Sequence, residues 1–590
     1  MNAVVDDLPV GYYRDNAAFV FEFVLQRYAD LLTPVERAYG EQFFQLSLSA
    51  QRFYVRLALR KGPLFRSDKL QYAEIDDIAT AASELIDAGY LAQGEHASFY
   101  ALLSLLVKAE LSRFRKAVHS EVVHAEAVHL KSMPLANASR EALIDDLHLH
   151  SSAAALRDFV DVEIGCQVYE PLQLPILQTF RLLFFGNLHQ DFTEFVLNDL
   201  GILPYEDYAI DQNMRFFDRR ELVDQAGMLA LLRDQAETLI EAGSTSELQA
   251  FAHALPPQVA PELQRRLDKV NNRVARQLER YGDTTAALQL YARTTSGMAR
   301  ERRVRLLAAD PAQWFAALDL CAETLSAPEN ESEVDFAASF ATRLYRKVEA
   351  RQSTLPQSTS PQSTSPMIAH HSPAYFAVRV KPKPDCVVRE LRVAQIVGRR
   401  VELLAADHFD ALGWRAFYVE NSLLPSIFGL AYWDIIYAPV RGAFFNPFQR
   451  GPADLYTGDF CFQRRVALQD RLLELANIEA LQQRVLDTFR LKAGRVNPFV
   501  HWGALSLELL DNCFSRIPIT DFHAVFQRLL ADPRANRSGF PDLIVFPAAG
   551  GYLLAEVKGP NDKLQTNQTR WLRYFNECDI PHEVVNVSWL

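Results

Sequence analysis

Cysteine is scarce in this chain. Six occur in 590 residues, at positions 166, 321, 386, 461, 513 and 578, and no two lie within 30 residues of each other. That excludes CxxC zinc or redox pairs and iron–sulfur ligand spacings. A disulfide framework is not expected in so long and cysteine-poor a chain, and a reduced, intracellular protein is. Long apolar runs are missing as well. The most apolar stretch, Ile176 to Leu188, is broken by Gln178, Arg181 and Asn187 and is too short and polar to span a bilayer. Met1 to Asp15 carries Asp6 and Asp7 and no long apolar run, so a signal peptide is not expected. There is no P-loop, hence no expected nucleotide cofactor or ATP-driven activity, and no HExxH. His119, His124 and His129 are spaced by five, which turns them around a helix rather than onto one face. Nor is there an excess of positive charge: 61 Lys+Arg face 73 Asp+Glu, a formal net charge of −12. A uniformly basic coat is excluded, and any nucleic-acid site must be a local basic surface.

What is present is ordinary globular composition, 49% hydrophobic and 23% charged. The length predicts roughly four domains at about 150 residues each. The strongest break is Gln352 to Pro366, QSTLP-QSTSP-QSTSP, a five-residue repeat that cannot bury enough apolar area to order itself and reads as a linker. Before it, apolar residues recur at helical spacing over Asn16 to Asp30, Thr33 to Arg60, Tyr72 to Tyr90, Leu102 to Lys116, Ser139 to Leu149 and Pro175 to Phe185. AALQLYART at 286–294 recurs as AALDLCAET at 316–324, which suggests stacked helix pairs of the TPR kind; two unrelated Ala-rich helices are the plainer alternative. Beyond the linker, helices are expected over Val401 to Leu412, Leu423 to Tyr437 and Leu468 to Lys492. After Asn536 the pattern turns to period two: Leu543 to Phe546, Tyr552 to Val557 and Glu583 to Val587 read as strands, with a helix over Leu564 to Phe575. The expected organisation is a helical domain over 1–95, a further helical region over 96–205, TPR-like helices over 206–350, a linker over 351–375 and an α/β domain with a mixed sheet over 376–590.

The chemistry concentrates in Gly539-Phe540-Pro541-Asp542 and Leu554-Ala555-Glu556-Val557-Lys558. In a strand, residues two apart face the same side, so Glu556 and Lys558 point together, and Asp542 opens the partner strand beside them. Two carboxylates bind Mg²⁺ or Mn²⁺ through hard oxygens, and a lysine beside them holds or helps deprotonate a water, which is the set that phosphodiester hydrolysis needs. A surface hairpin with a Glu–Lys pair is the bland alternative; Pro-Asp at the strand entry and Gly-Pro after the lysine weigh against it.

These residues resemble the PD-(D/E)xK nuclease motif. The continuation Gly559-Pro560-Asn561-Asp562-Lys563-Leu564, with Gln568 and Trp571-Leu572, is similar to the VRR-nuclease domain of the Fanconi-associated nuclease family. Glu420-Asn421-Ser422, Phe428-Gly429-Leu430 and Trp433-Asp434-Ile435-Ile436 resemble that family's segment with an additional metal-binding glutamate. Arg60-Lys61-Gly62-Pro63, Lys69-Leu70 and Glu74-Ile75 resemble its N-terminal region. The resemblance implies a structure-selective DNA nuclease that cuts 5′ flaps and resects from 5′ ends in interstrand-crosslink repair, with a SAP-like DNA-binding region over 96–205 and a VRR-type nuclease domain over 376–590. It implies Asp542, Glu556 and Lys558 as catalytic residues, Glu420 and the Val557 carbonyl as further metal ligands, and Gln568 as a residue orienting substrate or water. Glu508 and Asp511 compete with Glu420 as the helix-borne acid. A dimeric Holliday-junction resolvase and a non-catalytic scaffold that recruits repair proteins through its helices are the alternative readings.

For DNA contacts, 265–305 holds eleven basic and four acidic residues. Arg266, Lys269, Arg273, Arg276 and Arg280 fall on one helical face, a stripe suited to phosphates, though a helix face paired to neighbouring acids has the same pattern. Further basic stretches are Arg52, Arg56, Arg60, Lys61, Arg66 and Lys69, and Lys108, Arg113, Arg115 and Lys116. Arg534 and Arg537 precede the Gly-Phe-Pro-Asp turn, and the resemblance implies that Arg534 anchors a 5′-terminal phosphate.

Overall fold

A computed structural model describes residues 9–60, 62–94, 97–122, 138–190, 204–294, 296–354 and 372–590. The chain divides into two compact units, Met1–Ile202 and Leu203–Leu590.

The first unit is mainly helical, with shorter helices than apolar periodicity alone suggests. The stretch Thr33 to Arg60 is two helices, Pro34–Phe43 and Leu48–Ala58. The break falls where the Ser47 hydroxyl accepts the Ala50 N–H and so starts a new helix. Likewise Tyr72 to Tyr90 contracts to Ile78–Asp87, capped by the Asp77 carboxylate. Three short antiparallel strands, which the sequence reading did not anticipate, run in the order Phe65–Arg66, Val168–Pro171, Leu91–Ala92. The two basic stretches here are largely spoken for within the unit. Arg56 pairs with Glu74 at 2.7 Å, Arg66 is buried between Asp68 and Glu110, and Arg115 pairs with Asp146 at 2.6 Å. Lys61, His124 and His129 lie outside the described residues, as does the side chain of His119.

The second unit begins with successive helices Arg220–Ala242, Thr245–Ala254, Gln264–Arg280, Thr284–Ala292, Gly297–Leu307, Trp314–Ser326 and Glu331–Thr354. The repeated segments lie on Thr284–Ala292 and Trp314–Ser326. Their equivalent residues Ala287 and Ala317, and Leu290 and Leu320, are buried in two separate cores. The last helix runs three residues into the supposed linker, because nothing in Gln352-Ser353-Thr354 breaks a helix; the rest of the repeat lies outside the described residues.

The α/β part holds a five-stranded mixed sheet: β1 Val387–Val393, β2 Arg415–Tyr418, β3 Leu543–Phe546, β4 Leu553–Lys558 and β5 His582–Trp589, in the order β1-β5-β4-β3-β2. β3 and β4 form the expected hairpin, pairing Leu543 with Ala555, while β4–β5 and β5–β1 are parallel. Period two assigns the faces. Leu543, Val545, Ala555 and Val557 pack on α1 (Val401–Ala411). Ile544, Phe546 and Leu554 face the larger core that includes Trp571, Leu572 and Phe575 of α2 (Thr566–Glu577). Two helices expected to be continuous are broken. The stretch Leu423 to Tyr437 turns at Tyr432, and Leu468 to Lys492 divides into Arg465–Glu474 and Ile478–Leu491, the latter capped by Asn477.

Candidate active site

The site sits where β2, β3 and β4 end together. Asp542 immediately precedes β3, and its carbonyl accepts the Val419 N–H at 2.8 Å, so the ladder runs on past β2 and sets Glu420 beside Pro541-Asp542. The Asp542 carboxylate reaches across the hairpin and accepts the backbone N–H of Val557 at 2.8 Å. On β4, Glu556 and Lys558 share a face as their spacing requires, with the ammonium 2.8 Å from the Glu556 carboxylate. Lys558 also donates to Gln568 Oε1 at 3.0 Å, an oxygen that accepts the Gln565 N–H at the start of α2. Thus α2 fixes Gln568, Gln568 helps fix Lys558, and the hairpin fixes both acids.

The electrostatics are unfavourable without a cation. Asp542 is 6% exposed and Glu556 1% exposed. Among the described residues, neither Glu556 oxygen has a well-directed hydrogen-bond donor, and Lys558 is an ion partner only. Burial, then repulsion from Asp542, pushes the Glu556 carboxyl up to about 8. Burial, partly offset by the Val557 N–H and aggravated by Glu420 and Glu402, pushes Asp542 up to about 6. Buried like-charged carboxylates with orphaned oxygens are what a divalent cation compensates, and the all-oxygen donors suit a hard ion. Among the described residues, however, no three His, Cys, Asp or Glu side chains already form a metal-binding group. Here Lys558 supplies the positive charge, and Glu420 is held by the Tyr418 hydroxyl on one oxygen and by Asn421 Nδ2 at 3.2 Å on the other.

Asp542, Glu556, Val557, Lys558 and Gln568 therefore converge, with Glu420 at the rim. The competing acids do not join them: Glu508 pairs with Arg415 at 2.6 Å, and Asp511 is exposed. Sequence reasoning missed Glu402 in the first turn of α1, close enough to raise Asp542 and with Oε2 buried and lacking a hydrogen-bond partner. The only signal for it was an acid at the start of a predicted helix, which is common helix chemistry. Tyr418 and Asn421 were equally unreadable as site residues.

The basic residues separate. Arg534 lies exposed in the four-residue helix Pro533–Asn536, and Arg537 stacks on Tyr456 at 4.7 Å. On the helix Gln264–Arg280 the stripe does occupy the outward face, but it is not a row of free cations. Arg273 pairs with Glu237 at 2.7 Å and Arg276 with Glu279 at 2.8 Å. Arg266 is half-buried over Phe216, where burial lowers its pKa, and Arg280 reaches Gln277. Lys269 is exposed and has no ion pair among the described residues.

Comparison with known proteins agrees with this geometry. The VRR-NUC domain model matches residues 476–589, and the FAN1 HTH domain model matches residues 11–92. A Fanconi-associated nuclease 1 homolog of Pseudomonas aeruginosa is 33% identical over 98% of this chain and 96% of its own length. The human Fanconi-associated nuclease 1 is 25% identical over 98% of this chain and 62% of its own. A crystal structure of paFAN1 bound to 2-nucleotide 5′-flap DNA with a gap superposes with a TM-score of 0.79 at 33% identity, covering 99% of both chains. With a sheet-end acid–acid–lysine site and likeness along nearly its whole length, this chain belongs to the Fanconi-associated nuclease family, structure-selective DNA nucleases of DNA repair.

Proposed function

We propose that this nuclease cuts 5′ flaps endonucleolytically and resects 5′→3′, using Mg²⁺ or Mn²⁺ and leaving a 5′-phosphate and a 3′-hydroxyl, in the repair of interstrand crosslinks. The observation that carries the chemistry is the buried pair Asp542 and Glu556 with Lys558 between Glu556 and Gln568. Support for the flap substrate is the likeness to paFAN1 in complex with flap DNA.

Asp542, Glu556, Glu420 and the Val557 carbonyl would hold the ion, which when bound supplies Lewis acidity to the scissile phosphate. Lys558 has its own task. Its ammonium faces Glu556 at 2.8 Å and donates to Gln568, so Gln568 would keep it anchored when Glu556 turns to an ion, with its other N–H groups left to hold the attacking water or a non-bridging phosphate oxygen. The Val557 N–H fixes the Asp542 carboxylate before substrate arrives, which lowers the reorganisation needed at reaction. Arg534 and Arg537, exposed just ahead of the turn that carries Asp542, are suited to a terminal phosphate. Lys269 and Arg280, the exposed cations of the helix Gln264–Arg280 that have no ion pair among the described residues, would contact duplex phosphates.

The test is cleavage of 5′-flap, 3′-flap and four-way-junction DNA with and without Mg²⁺ or Mn²⁺. Metal-dependent cutting of the 5′ flap, lost on Asp542→Ala, Glu556→Ala or Lys558→Ala with flap binding intact, is expected. Symmetric paired incisions on the junction would point to a resolvase, and tight flap binding without cleavage to a scaffold.

A further inference from the structure

Asn421 is one of four non-glycine residues with positive φ among the described residues, at +49°. This left-handed conformation disfavours most side chains, and asparagine tolerates it because its short amide bonds locally. Its amide oxygen accepts two N–H groups of the catalytic turn, Gly539 at 2.6 Å and Phe540 at 3.1 Å. Two backbone donors converging on one atom identify that atom as the carbonyl oxygen, so the amide orientation is set. The NH₂ end then donates to Glu420 Oε1 at 3.2 Å.

One side chain thus ties together the two segments that bear Glu420 and Asp542, segments more than a hundred residues apart in sequence. The clamped turn is rigid on its far side as well. Gly539 has φ +95°, and a Cβ there would stand 2.8 Å from the Asn567 backbone. The next ring, Phe540, packs on Trp571 with centroids 4.0 Å apart. With the turn held against α2 and the Val419 N–H bonded to the Asp542 carbonyl, Asn421 fixes the one residue beyond that ladder, so that the Glu420 carboxylate is oriented relative to Asp542.

We propose that Asn421 is a positioning residue that sets the separation of the Glu420 and Asp542 carboxylates and thereby the affinity of the site for its divalent ion. This rests on the reading of Asp542 and Glu420 as ion ligands. Partners of this kind, which orient ligands without touching the metal, are typically worth tenfold or more in metal affinity.

The experiment is Mn²⁺ binding to the full chain without DNA, followed by electron paramagnetic resonance, for the parent, Asn421→Gly, Glu420→Gln, Asn421→Gly/Glu420→Gln and Asp542→Asn. Glycine accepts the left-handed backbone and removes only the clamp, and thermal melting reports on folding. Asn421→Gly is expected to weaken Mn²⁺ by about tenfold, to lower kcat on a 5′ flap and to leave flap affinity in EDTA unchanged. The Asn421→Gly and Glu420→Gln losses are expected to be less than multiplicative, because both act on one ligand geometry. Unchanged Mn²⁺ affinity in a folded Asn421→Gly protein, or losses that multiply fully, would overturn the assignment. Unchanged affinity in Asp542→Asn would instead overturn the ion site on which it rests.

Discussion

Replacing Glu556 by Gln should destroy activity and make the metal-free protein more stable. The side chain is 1% exposed, its oxygens lack well-directed donors, and its carboxyl is pushed from an ordinary 4.5 to about 8. At about 1.4 kcal/mol per unit, that displacement sets a ceiling of roughly 5 kcal/mol on the cost of keeping the ionised form folded. Relaxation and water entry reduce it, and a gain of about 1–3 kcal/mol, the scale of one unsatisfied buried polar group, is the expected size. The gain depends on pH in a defined sense. Below about pH 4.5 the acid is protonated whether folded or unfolded, and this penalty is absent. As pH rises toward 8, ionisation costs the folded state, so the gap between parent and variant opens and levels off above that value. Urea unfolding at pH 4.5, 7 and 9 in EDTA, repeated with saturating Mg²⁺, measures this. The metal should stabilise the parent and close the gap at pH 9. A Glu556→Gln protein less stable than the parent at pH 9 in EDTA would show that Glu556 is held as a structural partner of Lys558, and the reasoning would fail.

Other outcomes follow from the same geometry. Gly539→Ala should destabilise the chain by roughly 1–3 kcal/mol, from left-handed strain and a clash with Asn567, and should impair cutting by shifting Asp542; melting and flap cleavage check both. Mn²⁺ affinity should rise from pH 6 through pH 8 and flatten above it, because the ion binds the deprotonated acids, which burial pushes up to about 6 at Asp542 and about 8 at Glu556. Lys269→Ala should weaken flap binding without sequence preference and reduce the log–log salt slope by about 1, whereas Arg273→Ala should leave the slope unchanged because Glu237 already neutralises that guanidinium through two hydrogen bonds.

The hairpin that carries Asp542, Glu556 and Lys558 was legible because everything that defines it is local. Period-two apolar residues assign the faces of β3 and β4, the spacing puts Glu556 and Lys558 on one side, and Pro541-Asp542 marks the strand entry. Glu420 needed the family resemblance, since only the pairing of β2 with β3, carried on by the Val419 bond to Asp542, reveals that this distant segment runs beside Asp542. Glu402, Tyr418 and Asn421 were illegible for the same reason: their meaning lies in segments distant in sequence. The breaks at Ser47 and Asn477 were visible as capping residues, yet apolar periodicity ran through them and was read as one helix. β1 was missed because it lies on the edge of the sheet with Val387 and Val388 exposed, so burial imposes little pattern on it. The basic stripe was legible in its spacing and not in its pairing. Its helical spacing was right, but the acid that neutralises Arg273, Glu237, comes from another helix and could not be read from the stripe itself.

Where the divalent ion sits decides whether Asp542 and Glu556 are its ligands. Crystals of the full chain soaked in MnCl₂ and measured at the manganese absorption edge should give an anomalous peak bounded by Asp542, Glu556 and the Val557 carbonyl, with Lys558 displaced from Glu556. A map in which Mn²⁺ binds elsewhere, while Lys558 still pairs with Glu556 and the corner between them and Asp542 shows no peak, would contradict that assignment.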